Sequence, residues 1–78
     1  MAIPQQVSIT SNAYLYEHGA DWRIFSGGYA VGYAFTDSSG VWIAASVRFP
    51  LEGEEVLSVR GYGSARAAAE AYLHKLHH

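Results

Sequence analysis

The chain has 78 residues, half of them hydrophobic, 14% aromatic and only 15% charged, a size that sets it at one domain spanning residues 1–78. Five Lys and Arg against seven Asp and Glu give a formal charge of -2, too even for a basic nucleic-acid binder and far from the dense acidity of a DNA mimic. There is no cysteine, which excludes disulfides and thiolate metal sites, while the absence of a leader pattern or a long apolar run makes a soluble, untargeted, cytoplasmic protein with no membrane partner the expectation.

Pro4 keeps the first residues extended. Val7, Ile9, Ala13 and Leu15 then alternate with polar or amphipathic neighbours, which predicts one long or broken strand over 5–17, bent at Ser11 and Asn12. His18, Gly19, Ala20 and Asp21 are turn chemistry, and Trp22, Arg23, Ile24 and Phe25 make a short second strand closed by Ser26, Gly27 and Gly28. The stretch 29–49 reads as a β-hairpin. Tyr29, Val31, Tyr33 and Phe35 alternate with Ala30, Gly32, Ala34 and Thr36, and Val41, Ile43, Ala45, Val47 and Phe49 alternate with Trp42, Ala44, Ser46 and Arg48.

Two registers compete for this hairpin. A two- or four-residue loop pairs Phe35 with Trp42 and mixes large with small on both faces. A three-residue loop, Ser38, Ser39 and Gly40, with glycine left-handed at its end, is preferred. It pairs Phe35 with Ile43, Tyr33 with Ala45, Val31 with Val47 and Tyr29 with Phe49, and gathers Ala30, Gly32, Ala34, Ala44 and Ser46 on the other side.

Residues 50–54 form the next connection, and Val56, Leu57 and Val59 a last strand ending at Gly61, Tyr62 and Gly63. From Ser64 the period becomes helical, with Ala65, Ala68, Ala69, Tyr72, Leu73 and Leu76 on one stripe, Ser64 as N-cap and Arg66 with Glu70 as an i, i+4 pair. The expected fold is α+β: an antiparallel four- to five-stranded meander with one C-terminal helix packed on one face. The helix is expected over the Tyr29, Val31, Tyr33, Phe35 face. That choice leaves Trp42, Ala44, Ser46 and Arg48 uncovered beside Ala30, Gly32 and Ala34, bordered by Ser58 and Arg60.

No catalytic residue is assigned. Glu17, His18 and Asp21 are a sequence-local acid and base cluster in a turn, read as solvated. Gly61 to Ser64 reads as an ordinary strand-to-helix turn, because neither a dinucleotide fingerprint nor a P-loop follows it. His74, His77 and His78, with Glu70 one turn earlier, suit the negative end of a helix dipole, and no metal or cofactor is assigned to them.

The residues assigned to partner binding are Trp42, Arg48, Arg60, Trp22 and Arg23, because tryptophan and arginine combine contact area with a directional polar group. The surplus of apolar area leaves room for a homodimer. A weak nucleic-acid-binding module using the exposed aromatics with Arg23, Arg48, Arg60 and Arg66 is the alternative, disfavoured by the acidic balance. In size, cysteine-free composition, lack of a catalytic motif and meander-plus-helix layout, the whole chain resembles the small phage-encoded anti-CRISPR proteins. The resemblance implies a non-enzymatic inhibitor in the host cytoplasm, occluding a CRISPR complex subunit or effector nuclease, and it transfers no binding residue.

Overall fold

The computed structural model describes residues 3–77. Six strands precede one helix: β1 (Gln6–Ser8), β2 (Ala13–His18), β3 (Asp21–Ser26), β4 (Tyr29–Thr36), β5 (Trp42–Ala45), β6 (Ser58–Tyr62) and α1 (Ala65–Leu76). They form one antiparallel sheet in the order β1-β2-β3-β4-β5-β6. Short connections dictate this from β1 to β5, where each strand reverses onto its predecessor; β6 follows residues 46–57 and still pairs with β5.

The strand count exceeds the expected four to five because the bend at Ser11 and Asn12 is a full reversal. The N–H groups of Ile9 and Thr10 both donate to the Ala13 carbonyl, at 2.9 and 3.1 Å, and Thr10 Oγ1 accepts from Asn12 N–H at 3.2 Å. The first strand is thereby a hairpin, with Val7 opposite Leu15. The central hairpin takes the three-residue loop. Gly40 has φ 85°, Asp37 N–H donates to the Val41 carbonyl, and Phe35 faces Ile43 while Tyr33 faces Ala45. Pairing stops there, so Val31 does not meet Val47 and Tyr29 does not meet Phe49.

Two bulges set the direction of side chains. Val31 is the extra residue between the pairs Ile24–Gly32 and Phe25–Ala30. Gly61 is the extra residue between Trp42–Tyr62 and Ile43–Arg60. A bulge breaks the period of two, so residues on either side of it no longer share a face as simple alternation requires.

The helix lies across β4, β5 and β6 and covers the small-residue face, not the expected Tyr29, Val31, Tyr33, Phe35 face. Ala34, Ala44, Ala65, Ala68 and Ala69 are buried with Ala13, Leu15, Ile24, Tyr72 and Leu73 in one core. Alanine against alanine lets helix and sheet approach closely. The bulky Tyr72 is accommodated at Gly32, where even a Cβ would stand 2.8 Å from the ring. Its hydroxyl donates to the Val31 carbonyl, which belongs to the bulged residue. Burial pushes the Tyr72 phenol above its ordinary pKa.

The opposite choice would have been costly, because the aromatic face also carries Arg23 and Arg48, whose desolvation under a helix would need compensation. Ser64 caps α1 by accepting from Ala67 N–H at 3.1 Å, and Arg66 pairs with Glu70 at 3.0 Å. Lys75 donates to the Ser58 carbonyl at 3.1 Å, tying the end of the helix to the edge strand. Leu76, expected on the buried stripe, is 37% exposed. Among the described residues no helix is long and apolar enough to cross a membrane.

Candidate functional surface

The face of the sheet away from α1 presents aromatic rings and guanidiniums in two groups. The turn at Gly19 and Ala20 fixes His18 opposite Asp21, which in turn sets Tyr16 opposite Arg23 and Tyr14 opposite Phe25. On β2 and β3 the intervening Leu15 and Ile24 point into the core. Alternation therefore sends all four of these side chains outward.

Tyr14 and Phe25 stack with centroids 5.0 Å apart and planes within 8°, and Tyr16 meets Phe25 edge-on at 6.5 Å. The Arg23 guanidinium carbon lies 6.0 Å from the Phe25 centroid and 5.1 Å from that of Tyr33, which stands opposite Arg23 across β3 and β4. An Arg23 terminal nitrogen donates to the Tyr33 hydroxyl at 3.3 Å. These distances suit offset stacking and cation–π attraction.

Phe35, two residues beyond Tyr33 on β4, belongs to the second group. Arg48, just beyond β5, crosses back over it, with its guanidinium carbon 4.0 Å from the Phe35 centroid and 4.5 Å from that of Phe49, while its Nε donates to Asp21 at 2.8 Å. Phe49 itself is 78% exposed.

Arg60, opposite Ile43 and alternating with the core-packed Val59, donates to Asp37 at 2.9 Å. Asp37 also accepts from the Ser39 hydroxyl at 2.6 Å and from the Ser39 and Val41 N–H groups at 2.8 and 3.3 Å. The Ser39 hydroxyl is the main cause, reinforced by the Ser39 N–H, Arg60 and the Val41 N–H, of a carboxyl held below its ordinary value of 3.8.

The five residues assigned from sequence are thus divided. Arg23, Arg48 and Arg60 meet on the open face. Trp22 and Trp42 lie on the other side, half-buried against the core under α1. The pairing of Trp42 with Arg48 on one flat floor is overturned: Ala44, Gly32 and Ala34 of that floor lie against the helix. Tyr14, Tyr16, Phe25 and Tyr33 join the surface in their place, with Phe35 buried beneath Arg48 on the same side. The tight turn after His18 and the presence of Arg23 in the Tyr14, Tyr16, Phe25 alternation were the signals that mark them.

The other sequence candidates separate. Glu17 stands opposite Trp22 and takes the Gln5 N–H at 3.4 Å, whereas Asp21 is engaged by Arg48. His74 and His77 line a groove of about 500 Å³ with Ile9, Thr10, Arg66, Glu70 and Leu73, between the first turn and α1. Among the described residues no three potential ligands converge to hold a metal, and His78 lies outside those residues. Ser64 spends its hydroxyl on Ala67, which leaves the strand-to-helix turn as a cap.

Comparison with protein-family models, with curated proteins and with solved structures finds no match for the chain.

Proposed function

We propose that this chain is a non-enzymatic binding module that recognises a partner protein with the open face of its sheet. The observation that carries the reading is the pair of aromatic and arginine groups between Tyr14 and Phe49, in which tyrosine, phenylalanine and arginine, residue types that dominate interface energetics, are held by stacking and cation–π contact. Rings locked by neighbours lose little entropy on binding. Two of the guanidiniums already hold carboxylates of the same chain, so the surface is largely self-neutralised, as suits a folded protein partner better than a polyanion.

The stacked rings also fit unpaired bases. That fit lacks phosphate partners, because with Arg48 and Arg60 engaged Arg23 alone among the described arginines of this face remains for a backbone contact, and the chain carries -2 overall. The resemblance in size and layout to phage-encoded anti-CRISPR proteins proposes, as the partner, a subunit of a bacterial surveillance complex or an effector nuclease, blocked by occupancy.

The test is site-specific photocrosslinking in cells that encode the chain, with benzoylphenylalanine at Tyr16 on the open face and at Glu70 on the helix as control. The reading expects an adduct of discrete mass from position 16 alone, resistant to nuclease, whose purified partner binds the chain at a fixed stoichiometry. Nuclease-sensitive adducts would transfer the face to nucleic acid, an adduct of twice the chain mass would make it a self-association surface, and equal adducts from both positions would remove its special role.

A further inference from the structure

The three guanidiniums of the open face differ in one respect. Arg48 and Arg60 each hold a carboxylate, at 2.8 and 2.9 Å. Arg23 holds none: its single hydrogen bond is the 3.3 Å contact to the Tyr33 hydroxyl, and its Nε is buried with no acceptor. A guanidinium stays charged at any accessible pH, has five N–H donors in a planar fork and accepts nothing. A charged donor left without an acceptor in partial burial is a position the fold tolerates only because neighbours enforce it. Tyr16 and Tyr33 on the flanking strands, with Phe25 two residues along, do so here.

Among the side chains placed on this face above, Arg23, Arg48 and Arg60 outnumber Asp21 and Asp37 by one. A single carboxylate cancels that difference. A strand of phosphates would instead bring further negative charge towards Asp21 and Asp37, where the neighbouring arginines are already occupied. With Nε buried, the outer end of the fork, its two terminal nitrogens, matches a carboxylate in two parallel hydrogen bonds, and the rings beside it offer contact to the methylene groups of an acidic side chain and to an apolar neighbour.

We infer that Arg23 is the receptor for one Asp or Glu side chain of the partner, seated beside Tyr16, Phe25 and Tyr33. The inference rests on the open-face reading above and specifies the chemistry the partner must present: an acidic residue with apolar neighbours. Arg48 and Arg60 keep their internal partners and frame the site.

Nitrogen-15 NMR of the whole chain, following the arginine Nε–Hε signals, tests it with four probes: acetyl-Leu-Glu-Leu-amide, the same peptide with Gln for Glu, inorganic phosphate, and an eight-residue oligo(dT). The expected result is a saturable shift of the Arg23 signal with the Glu peptide in the millimolar range, about tenfold weaker with the Gln peptide, as befits loss of a charge-assisted hydrogen bond. Arg48 and Arg60 signals should move less. An unmoved Arg23 signal, equal response to the Gln peptide, or a stronger response to phosphate or oligo(dT) would each overturn it.

Arg23→Gln and Arg23→Lys, with folding confirmed from the amide spectrum, should abolish and weaken the peptide response respectively. The wild-type titration decides the matter even if a variant fails to fold. Repeating the Tyr16 photocrosslink with Arg23→Gln separates the two readings. A retained adduct leaves the open face as the interface and removes Arg23 as its receptor, whereas absence of any adduct in the wild type removes the open-face reading itself.

Discussion

Replacing Gly32 with alanine probes the contact on which helix placement depends. A Cβ at this position would lie 2.8 Å from Tyr72 Cε2, 2.9 Å from Cζ and 2.8 Å from the Ala45 carbonyl oxygen. Carbon contacts are comfortable from about 3.5 Å, so ring and carbonyl must each withdraw by roughly 0.7 Å. Neither is free to do so. Tyr72 is fully buried and anchored by its hydroxyl on the Val31 carbonyl, and Ala45 sits in the ladder opposite Tyr33.

Overpacking of this kind costs about 1–3 kcal/mol, and the entropic benefit of alanine over glycine in a strand returns only about 0.5–1 kcal/mol. A net loss of about 1.5 kcal/mol in a domain of this size lowers the melting temperature by roughly 10 °C. Thermal unfolding followed by circular dichroism, with urea unfolding to check that the slope is unchanged, measures it. The same change in the Tyr72→Leu background should cost less by about 1 kcal/mol, since the ring is half of the obstacle and close neighbours are non-additive. A melting temperature that stays level or rises on Gly32→Ala, or costs that add in the double variant, would refute the close approach of α1 to β4.

Three further outcomes follow from single residues. Asp37 has a lowered folded-state pKa, so its contribution to stability is present above the ordinary 3.8 and is lost as pH falls through the lower folded value; Asp37→Asn should flatten this acid limb of a urea-midpoint profile. Tyr72 has a raised value, so the unfolded chain ionises first and stability falls as pH rises above 10.0. Tyr72→Phe should remove that part of the alkaline fall while costing about 1 kcal/mol at neutral pH through the unpaired Val31 carbonyl. Gly40→Val should destabilise by about 2 kcal/mol, because a β-branched residue resists positive φ, whereas Ser38→Val in the same loop, measured by the same denaturation, should not.

The parts of this fold that local chemistry controls were legible in the sequence. Gly40 at the end of a three-residue loop gave the register of the central hairpin, and the Ala65, Ala68, Ala69, Tyr72, Leu73 stripe gave the helix, its cap and its inner side. Which face of the sheet the helix takes is a different kind of question. Alternation says which residues travel together and nothing about their destination. The destination follows from cost: the face with Tyr33 and Phe35 also holds Arg23 and Arg48, and the large Tyr72 requires the hollow at Gly32.

Arg48 and Arg60 were named from the sequence, but on the side of Trp42: the Gly61 bulge returns Tyr62 to that side, while Arg60 alternates with the core-packed Val59 and stands opposite Ile43 on the other. Arg48 was grouped with Trp42 for a related reason. It follows β5 instead of lying in it, so its parity within the strand pattern had no meaning.

The order of the strands bears on how the domain assembles. Every strand pairs with its neighbour in the chain, so apart from the connection of residues 46–57 before β6 the loops that must close are short, and the sheet can zip up at little entropic cost. The contact between Tyr72 and Val31 spans 41 residues and belongs to the one element that leaves this local order. A sheet with alanines and glycine on one side has little to hold it flat against water by itself. Docking of α1 is therefore the step that converts a set of neighbouring hairpins into one cooperative unit, and the unfolding of the aromatic face and that of the helix, though they touch opposite sides of the sheet, are expected to occur in a single transition.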